Sequence, residues 1–142
     1  MANSPQTDFA EAHRRHWRDA ELLYRCERWG NADHLFGFSA ECGLKAVMVR
    51  LGMMALDEHG NLERKYRKHF PSLWTEFSQL SDGHLKARDL RLLPEGKPFS
   101  DWSVYNRYSR LGFTDRQSVD RHRNAASKIL RMVEEATIDA GS

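Results

Sequence analysis

The segment Asn31–Met54 places the strongest constraint on the fold, because its pattern is typical of one long buried helix. Gly43 inside it costs about 1 kcal/mol relative to alanine in a helix interior, so a neighbouring helix is expected to pack closely there. Trp29 and Gly30 predict a tight turn, and Asn31 is then the expected N-cap. Apolar or small residues recur with a helical period at Ala32, Leu35, Phe36, Ser39, Ala40, Gly43, Leu44, Val47, Met48 and Leu51.

Three more segments carry an apolar stripe at helical spacing. The first is Asp8–Glu27, with Thr7 or Asp8 as N-cap. The next, a third helix, is opened by His69, Phe70 and Pro71 and closed by Ser81–Gly83. The last helix follows Thr114–Gln117, which has the form of a capping box. The first segment and the central helix are predicted to form an antiparallel hairpin. The sequence therefore predicts an all-α fold, an antiparallel bundle of four main helices, in one domain spanning 1–142 with its core over 8–136.

The segments between these helices are more polar and less regular. We expect a surface connection over Asp57–Lys68, a short helix over Leu85–Leu93, a loop over Pro94–Pro98, and a short helical or irregular segment over Asp101–Gly112. The last helix is expected to fray after Ala136.

Composition limits the classes of function. The chain has 142 residues, 40% of them hydrophobic, and a net charge of +2, so it lacks the strong positive charge of a general nucleic-acid-binding protein. No apolar run is long enough to cross a membrane, and Met1–Thr7 is too short and polar for a signal peptide, so we expect a cytoplasmic protein.

Cys26 and Cys42 are expected to be buried thiols. The sequence lacks a phosphate-binding glycine loop, a Cys-x-x-Cys pair and a His-Glu-x-x-His motif, so neither a cofactor nor a metal site is predicted.

A set of features along the chain occurs in a characteristic order. The features are Trp29 near the end of the first helix, Ala32–Leu35 followed by Gly37, the run Ala40–Ala46, His69 at the third helix, the pair Arg107 and Tyr108, and a final amphipathic helix. Over 9–135 this order resembles the HEPN domain, a small helical bundle of prokaryotic toxin–antitoxin and defence systems. The resemblance implies a homodimer, for which Trp102–Tyr108 and the last helix are the expected interface.

The resemblance implies one of two functional branches. One branch consists of metal-independent endoribonucleases, whose active site is an Arg followed after four to six residues by a His and is assembled across the dimer. The other branch is not catalytic and binds a nucleotide or a partner protein, such as a nucleotidyltransferase or an antitoxin.

Two Arg–His pairs have the spacing of the catalytic branch. Arg116 and His122 are separated by five residues at the start of the last helix, and Arg64 and His69 by four residues before the third helix. In the first pair His122 would be the base that removes a proton from an RNA 2′-hydroxyl, because imidazole titrates near neutral pH. Arg116 would hold the phosphate with a guanidinium that stays charged. On an ideal helix these two side chains point about 120° apart.

The same residues also have structural interpretations. His122 lies on the apolar stripe of the last helix with Val119, Ala126, Ile129 and Val133, where an interior histidine held by hydrogen bonds fits the pattern. Arg116 is then a solvated first-turn residue and His69 a helix-start residue. Two further polar groups are interpreted as structural: a solvated basic turn of His13, Arg14, Arg15 and His16, and a buried polar cluster of His34, Glu41 and Lys45.

Overall fold

The computed structural model describes residues 7–52, 54–70, 72–82 and 98–141. Within these ranges the chain forms four α-helices: α1 (Phe9–Arg25), α2 (Trp29–Arg50), α3 (Ser72–Asp82) and α4 (Arg116–Gly141). Two short 3-10 helices occupy Arg64–Tyr66 and Val104–Tyr108, and Leu56 and Leu62 form an isolated antiparallel β-bridge. The predicted all-α fold with four main helices is confirmed. The predicted helix over Leu85–Leu93 and most of the loop over Pro94–Pro98 lie outside the described residues.

Helices α1 and α2 form the predicted antiparallel hairpin. The Lys45 ammonium, near the end of α2, lies over the ring of Phe9 at the start of α1. Towards the other end, the ring of Tyr24 packs edge-on against the ring of Trp29. Because the start of each helix contacts the end of the other, their directions are opposite.

The predicted start of α2 is wrong by two residues. Trp29 and Gly30 belong to the helix, and Arg28 takes the N-cap position without a side-chain capping hydrogen bond, so Asn31 is not the cap. The chain reverses instead at Glu27, whose φ of 59° lies in the left-handed region. The contact between the Trp29 and Tyr24 rings accounts for this difference, because it holds Trp29 against α1 rather than in a turn.

The other helix ends are set by caps and by glycine. Of the two predicted candidates, Asp8 caps α1, since its carboxylate accepts a hydrogen bond from the Glu11 N–H at 3.0 Å. Helix α2 ends before Met54, because the chain turns at Gly52 with a φ of 73°. The Asp115 carboxylate accepts from the Ser118 N–H at the start of α4, so the capping box predicted at Thr114 is wrong.

The start of α3 and the end of α4 complete the helix boundaries. Helix α3 begins at Ser72, directly after the residues from His69 that were predicted to open it, and the Leu73 N–H donates to the His69 carbonyl. Helix α4 extends to Gly141, and fraying after Ala136 stays a prediction.

Helix α2 packs against both α1 and α4 and forms the centre of the core. The predicted stripe of α4 is confirmed as buried. A Cβ added to Gly43 would lie 2.6 Å from the Ile129 side chain, so glycine permits the close approach of α4 that the sequence indicated. A Cβ added to Gly37 would lie 1.9 Å from the ring of Trp102, so this glycine seats the segment before the second 3-10 helix against α2.

Among the described helices, none combines the length and apolar character needed to cross a membrane.

Candidate functional site

His122 lies in the core, where it joins three parts of the chain. Its Nδ1 lies 2.5 Å from the Asp33 carboxylate of α2, and its Nε2 lies 2.7 Å from the Asp101 carboxylate. The ring of Phe99 stacks on the imidazole at 5.2 Å, and only 2% of the His122 surface is exposed. We call His122, Asp33 and Asp101 the histidine bridge, because they connect α2, the segment 98–103 and α4.

The chemistry of the histidine bridge requires a charged imidazole. Ionised carboxylates only accept hydrogen bonds, so both ring nitrogens of His122 must donate, as they do in the imidazolium form. Burial by itself lowers the pKa of His122, but the hydrogen bonds and charges of Asp33 and Asp101 outweigh it and raise the pKa above its ordinary value. Burial raises the pKa of Asp101, but the hydrogen bonds and charges of His122 and Arg121 outweigh burial, so the pKa of Asp101 is lowered.

The first predicted catalytic pair makes separate contacts. Both His122 nitrogens donate to carboxylates, which leaves no ring nitrogen to accept a proton from a 2′-hydroxyl in this arrangement. Arg116 is exposed, forms a 4.0 Å ion pair with Asp120, and places its guanidinium over the ring of Trp29. This arrangement matches the interior interpretation of His122 and brings Arg116 to the start of α2 instead.

The second predicted pair lies beside a buried carboxylate. His69 is half exposed, and its Nδ1 lies 3.0 Å from the Glu41 carboxylate, which also accepts the Phe70 N–H. Burial raises the pKa of Glu41, and its contacts with His69 and Phe70 only partly oppose that rise. Arg64 is in the first 3-10 helix, and its side chain lies outside the described part of the chain.

Several residues interpreted as structural occupy unexpected places. His13 is fully buried rather than solvated: its Nδ1–H donates to the Ser39 carbonyl at 2.7 Å, and Ser39 donates back to the His13 carbonyl. Burial lowers the pKa of His13. Cys26 is exposed rather than buried because it forms the C-cap of α1, whereas Cys42 is partly buried and burial raises its pKa to about 11.

The predicted polar cluster on α2 divides among three environments. Glu41 is paired with His69, and Lys45 lies over Phe9. His34 stacks on the ring of Trp102 at 5.5 Å, and burial lowers its pKa. The helical spacing of these three residues indicated one cluster, but each contacts a different segment.

A cleft of about 510 Å³ opens at the start of α2. Residues 27–31 and His34 form one wall, and residues from Asn106 to Thr114 form the other. Arginines are the main charged residues of the lining, at Arg28, Arg107 and Arg110, against one acidic residue, Glu27. We call this the basic cleft.

The core holds the two walls of the basic cleft together. Trp102 lies just before the second 3-10 helix and is 1% exposed, and its indole N–H donates to the Asp33 carbonyl of α2 at 3.1 Å. The histidine bridge joins α2 and the segment 98–103 as well, through Asp33 and Asp101. Buried contacts therefore lie beneath the cleft and connect α2 to the segment that leads into its second wall.

The residues of the interface predicted at Trp102–Tyr108 differ in their exposure. Trp102 is buried in the notch at Gly37 and therefore has no free surface for a partner. Tyr105 and Tyr108 are 71% and 74% exposed, and Leu111 and Phe113 are exposed as well. The Arg107 guanidinium lies over the Tyr108 ring at 4.8 Å. We call Tyr105, Tyr108 and Phe113 the aromatic surface.

Within the described ranges, no group of three or more His, Cys, Asp or Glu side chains is placed to hold a metal ion. No family model, curated protein or solved structure matches this chain significantly. The resemblance to the HEPN domain therefore rests on the order of its sequence features.

Sequence reasoning missed both the partners of His122 and the arginines of the cleft. Asp33 lies one turn before Phe36 on the buried face of α2, and an acidic residue there was a signal for a buried cation. Asp101 and Arg110 carry no periodic signal, because they lie in irregular segments. Arg107 was part of the resemblance but was not interpreted as a binding residue.

Proposed function

We propose that this chain is a non-catalytic HEPN-type module that binds a nucleotide in the basic cleft. The observation that carries the proposal is that Arg28, Arg107 and Arg110 line one cleft, which Trp29 also lines. Guanidinium groups bind phosphate oxygens through paired hydrogen bonds, so three arginines in one cleft favour a ligand that carries phosphate groups.

The size and polarity of the cleft support a ligand of this class. Its volume of about 510 Å³ lies within the range of about 300–1,000 Å³ found for small-molecule sites. Asn31, Asn106 and Ser109 line it and provide neutral hydrogen-bond donors and acceptors for a base or a ribose.

The histidine bridge supports the non-catalytic branch. A general base must accept a proton within reach of its substrate, and both nitrogens of the buried His122 already donate to carboxylates. The order of sequence features, together with the all-α fold, supports the HEPN-type assignment.

A homodimer and a nucleotidyltransferase or antitoxin partner belong to the same proposal. Light scattering at micromolar concentration tests the dimer against a monomer mass of 16.5 kDa.

Titration calorimetry with ADP tests the proposal. We expect saturable binding that Arg107→Glu weakens by about tenfold or more, since a hydrogen bond to a charged group contributes about 1.5–3 kcal/mol. Arg131→Glu is the matched control, because Arg131 is an exposed arginine fifteen residues beyond Arg116 on α4 and does not line the cleft. Absence of ADP binding, or equal loss in both variants, would contradict the proposal.

Cleavage assays address the catalytic branch directly. The proposal predicts that the purified protein does not cut RNA in the presence of EDTA. Metal-independent cleavage lost in Arg116→Ala, and also lost in His122→Ala under conditions in which circular dichroism shows that variant to be folded, would restore the first pair as the active site. Cleavage that survives those changes and is lost in Arg64→Ala and His69→Ala would assign it to the second pair.

A further inference from the structure

A second cavity, of about 300 Å³, lies where the start of α1, the end of α2 and the later part of α4 meet. We call it the hairpin cavity, because it is at the open end of the α1–α2 hairpin. Its apolar lining consists of two buried valines and three alanines: Val47, Val133, Ala10, Ala46 and Ala136. The volume is at the lower limit of the range of about 300–1,000 Å³ found for small-molecule sites, so the cavity suits a small ligand with an apolar group.

Two arginines also line the hairpin cavity, Arg14 from α1 and Arg50 from the last turn of α2. Neither forms an ion pair or a hydrogen bond with a described residue, whereas Arg116, Arg121 and Arg123 of α4 each pair with a carboxylate. Two like charges on one small cavity repel each other. A bound carboxylate would remove this repulsion and accept hydrogen bonds from both guanidinium groups.

The third charged residue of the hairpin cavity is Asp8, the N-cap of α1. Its Oδ1 accepts the Glu11 N–H, and its Oδ2 has no hydrogen-bond partner among the described residues. A carboxylate oxygen without a partner can accept a hydrogen bond from an ammonium group. The cavity therefore combines two cations, one anion and an apolar lining, and a ligand that matches all of them carries a carboxylate, an ammonium and an apolar group.

We propose that the hairpin cavity binds a free amino acid with a branched apolar side chain. Its carboxylate lies between Arg14 and Arg50, its ammonium contacts Asp8, and its side chain packs against Val47 and Val133. Inorganic phosphate would fit the arginines but would leave the apolar lining unused and add negative charge beside Asp8. The hairpin cavity shares no residue with the basic cleft or the aromatic surface, so this inference does not depend on the proposed function.

Titration calorimetry of the full chain with L-leucine, L-isoleucine and L-valine tests the proposal, and three related compounds test each contact. L-leucinamide lacks the carboxylate, isocaproate lacks the ammonium, and L-aspartate replaces the apolar side chain with a charged one. We expect saturable binding of at least one branched amino acid. The three related compounds should bind at least about tenfold more weakly, because each loses a charged hydrogen bond or places a charge on the apolar lining.

Substitutions of the charged residues test their separate roles. Arg14→Gln and Arg50→Gln are each expected to weaken amino-acid binding by about 10- to 150-fold, the range for one hydrogen bond to a charged group. Arg15→Gln is the matched control, because Arg15 is the next residue of α1, is exposed and does not line the cavity. Asp8→Asn is expected to weaken amino-acid binding and to leave isocaproate binding no weaker, and it keeps the helix cap because asparagine caps as well as aspartate.

Two further measurements locate the ligand. Ala46→Leu fills the cavity from α2 and is expected to abolish binding. Because leucine is a good helix former and Ala46 is partly exposed, the circular dichroism spectrum should be unchanged. In methyl NMR spectra of the wild type, the signals of Val47 and Val133 should shift when the amino acid is added.

The proposal is overturned if none of the three branched amino acids binds, or if L-leucinamide or isocaproate binds as tightly as L-leucine. Equal losses in Arg14→Gln and Arg15→Gln, or binding that survives Ala46→Leu, also overturn it. ADP binding is a separate readout, which Arg14→Gln should leave unchanged, so failure of this proposal and failure of the nucleotide site are distinguishable.

Discussion

Replacing His122 with leucine tests the histidine bridge, because it removes the cation and keeps an apolar side chain of similar size. The Asp33 side chain is 3% exposed, so the change leaves a buried carboxylate without its counter-charge. Breaking a buried ion pair by removing one partner destabilises a protein by about 3–5 kcal/mol. We expect His122→Leu to lower the free energy of unfolding by about that amount near pH 6, which is a large fraction of the stability of a domain of this size.

The same perturbation has a predicted dependence on pH. The pKa of His122 is raised in the folded state, so its contribution to stability is fully present below the unfolded value of 6.5 and is lost as the pH rises through the folded pKa. The difference in unfolding free energy between wild type and His122→Leu should therefore be largest near pH 6 and shrink towards alkaline pH.

Urea denaturation followed by circular dichroism at a series of pH values measures this difference. Asp101→Asn is the comparison variant, because the Asp101 side chain is 45% exposed and its loss, which leaves Asp33 paired with His122, should lower the stability less than His122→Leu. The double variant Asp33→Leu with His122→Leu should recover much of the loss, since it removes the unpaired charge. A loss below about 1 kcal/mol at pH 6, or a difference that does not vary between pH 6 and 9, would refute this account.

Two further predictions concern the interior and the thiols. Gly37→Ala is expected to lower stability by about 1–3 kcal/mol or more, because its methyl group would overlap the Trp102 ring, whereas Gly30→Ala meets nothing within 4 Å and should melt no lower than wild type. A Gly37→Ala melting curve identical to wild type would show that Trp102 does not occupy this notch. With Ellman's reagent at pH 8, the exposed Cys26 should react rapidly and Cys42 slowly, because a pKa of about 11 leaves little thiolate; two equally fast thiols would contradict the packing around Cys42.

The sequence by itself determined the helices and some of their ends. The apolar stripe of α4 follows from helical spacing and was predicted correctly. The cap of α1 follows from a side chain beside its own helix, and the sequence limited it to Thr7 or Asp8. Gly43 also indicated the close approach of another helix, because a glycine inside a helix needs a packing reason. These features depend on residues within a turn or two of each other along the chain.

Only the tertiary structure decided which side chains meet. His122 and Asp33 are 89 residues apart. Helical periodicity indicated that His122 faces the core, but it did not identify the carboxylate that pairs with it. The two walls of the basic cleft come from the start of α2 and from residues 106–114, which no local pattern connects. The pairs Arg116–His122 and Arg64–His69 show the same limit: spacing along the chain places two residues on a helix or a turn, whereas packing between distant segments determines the partners that each side chain contacts.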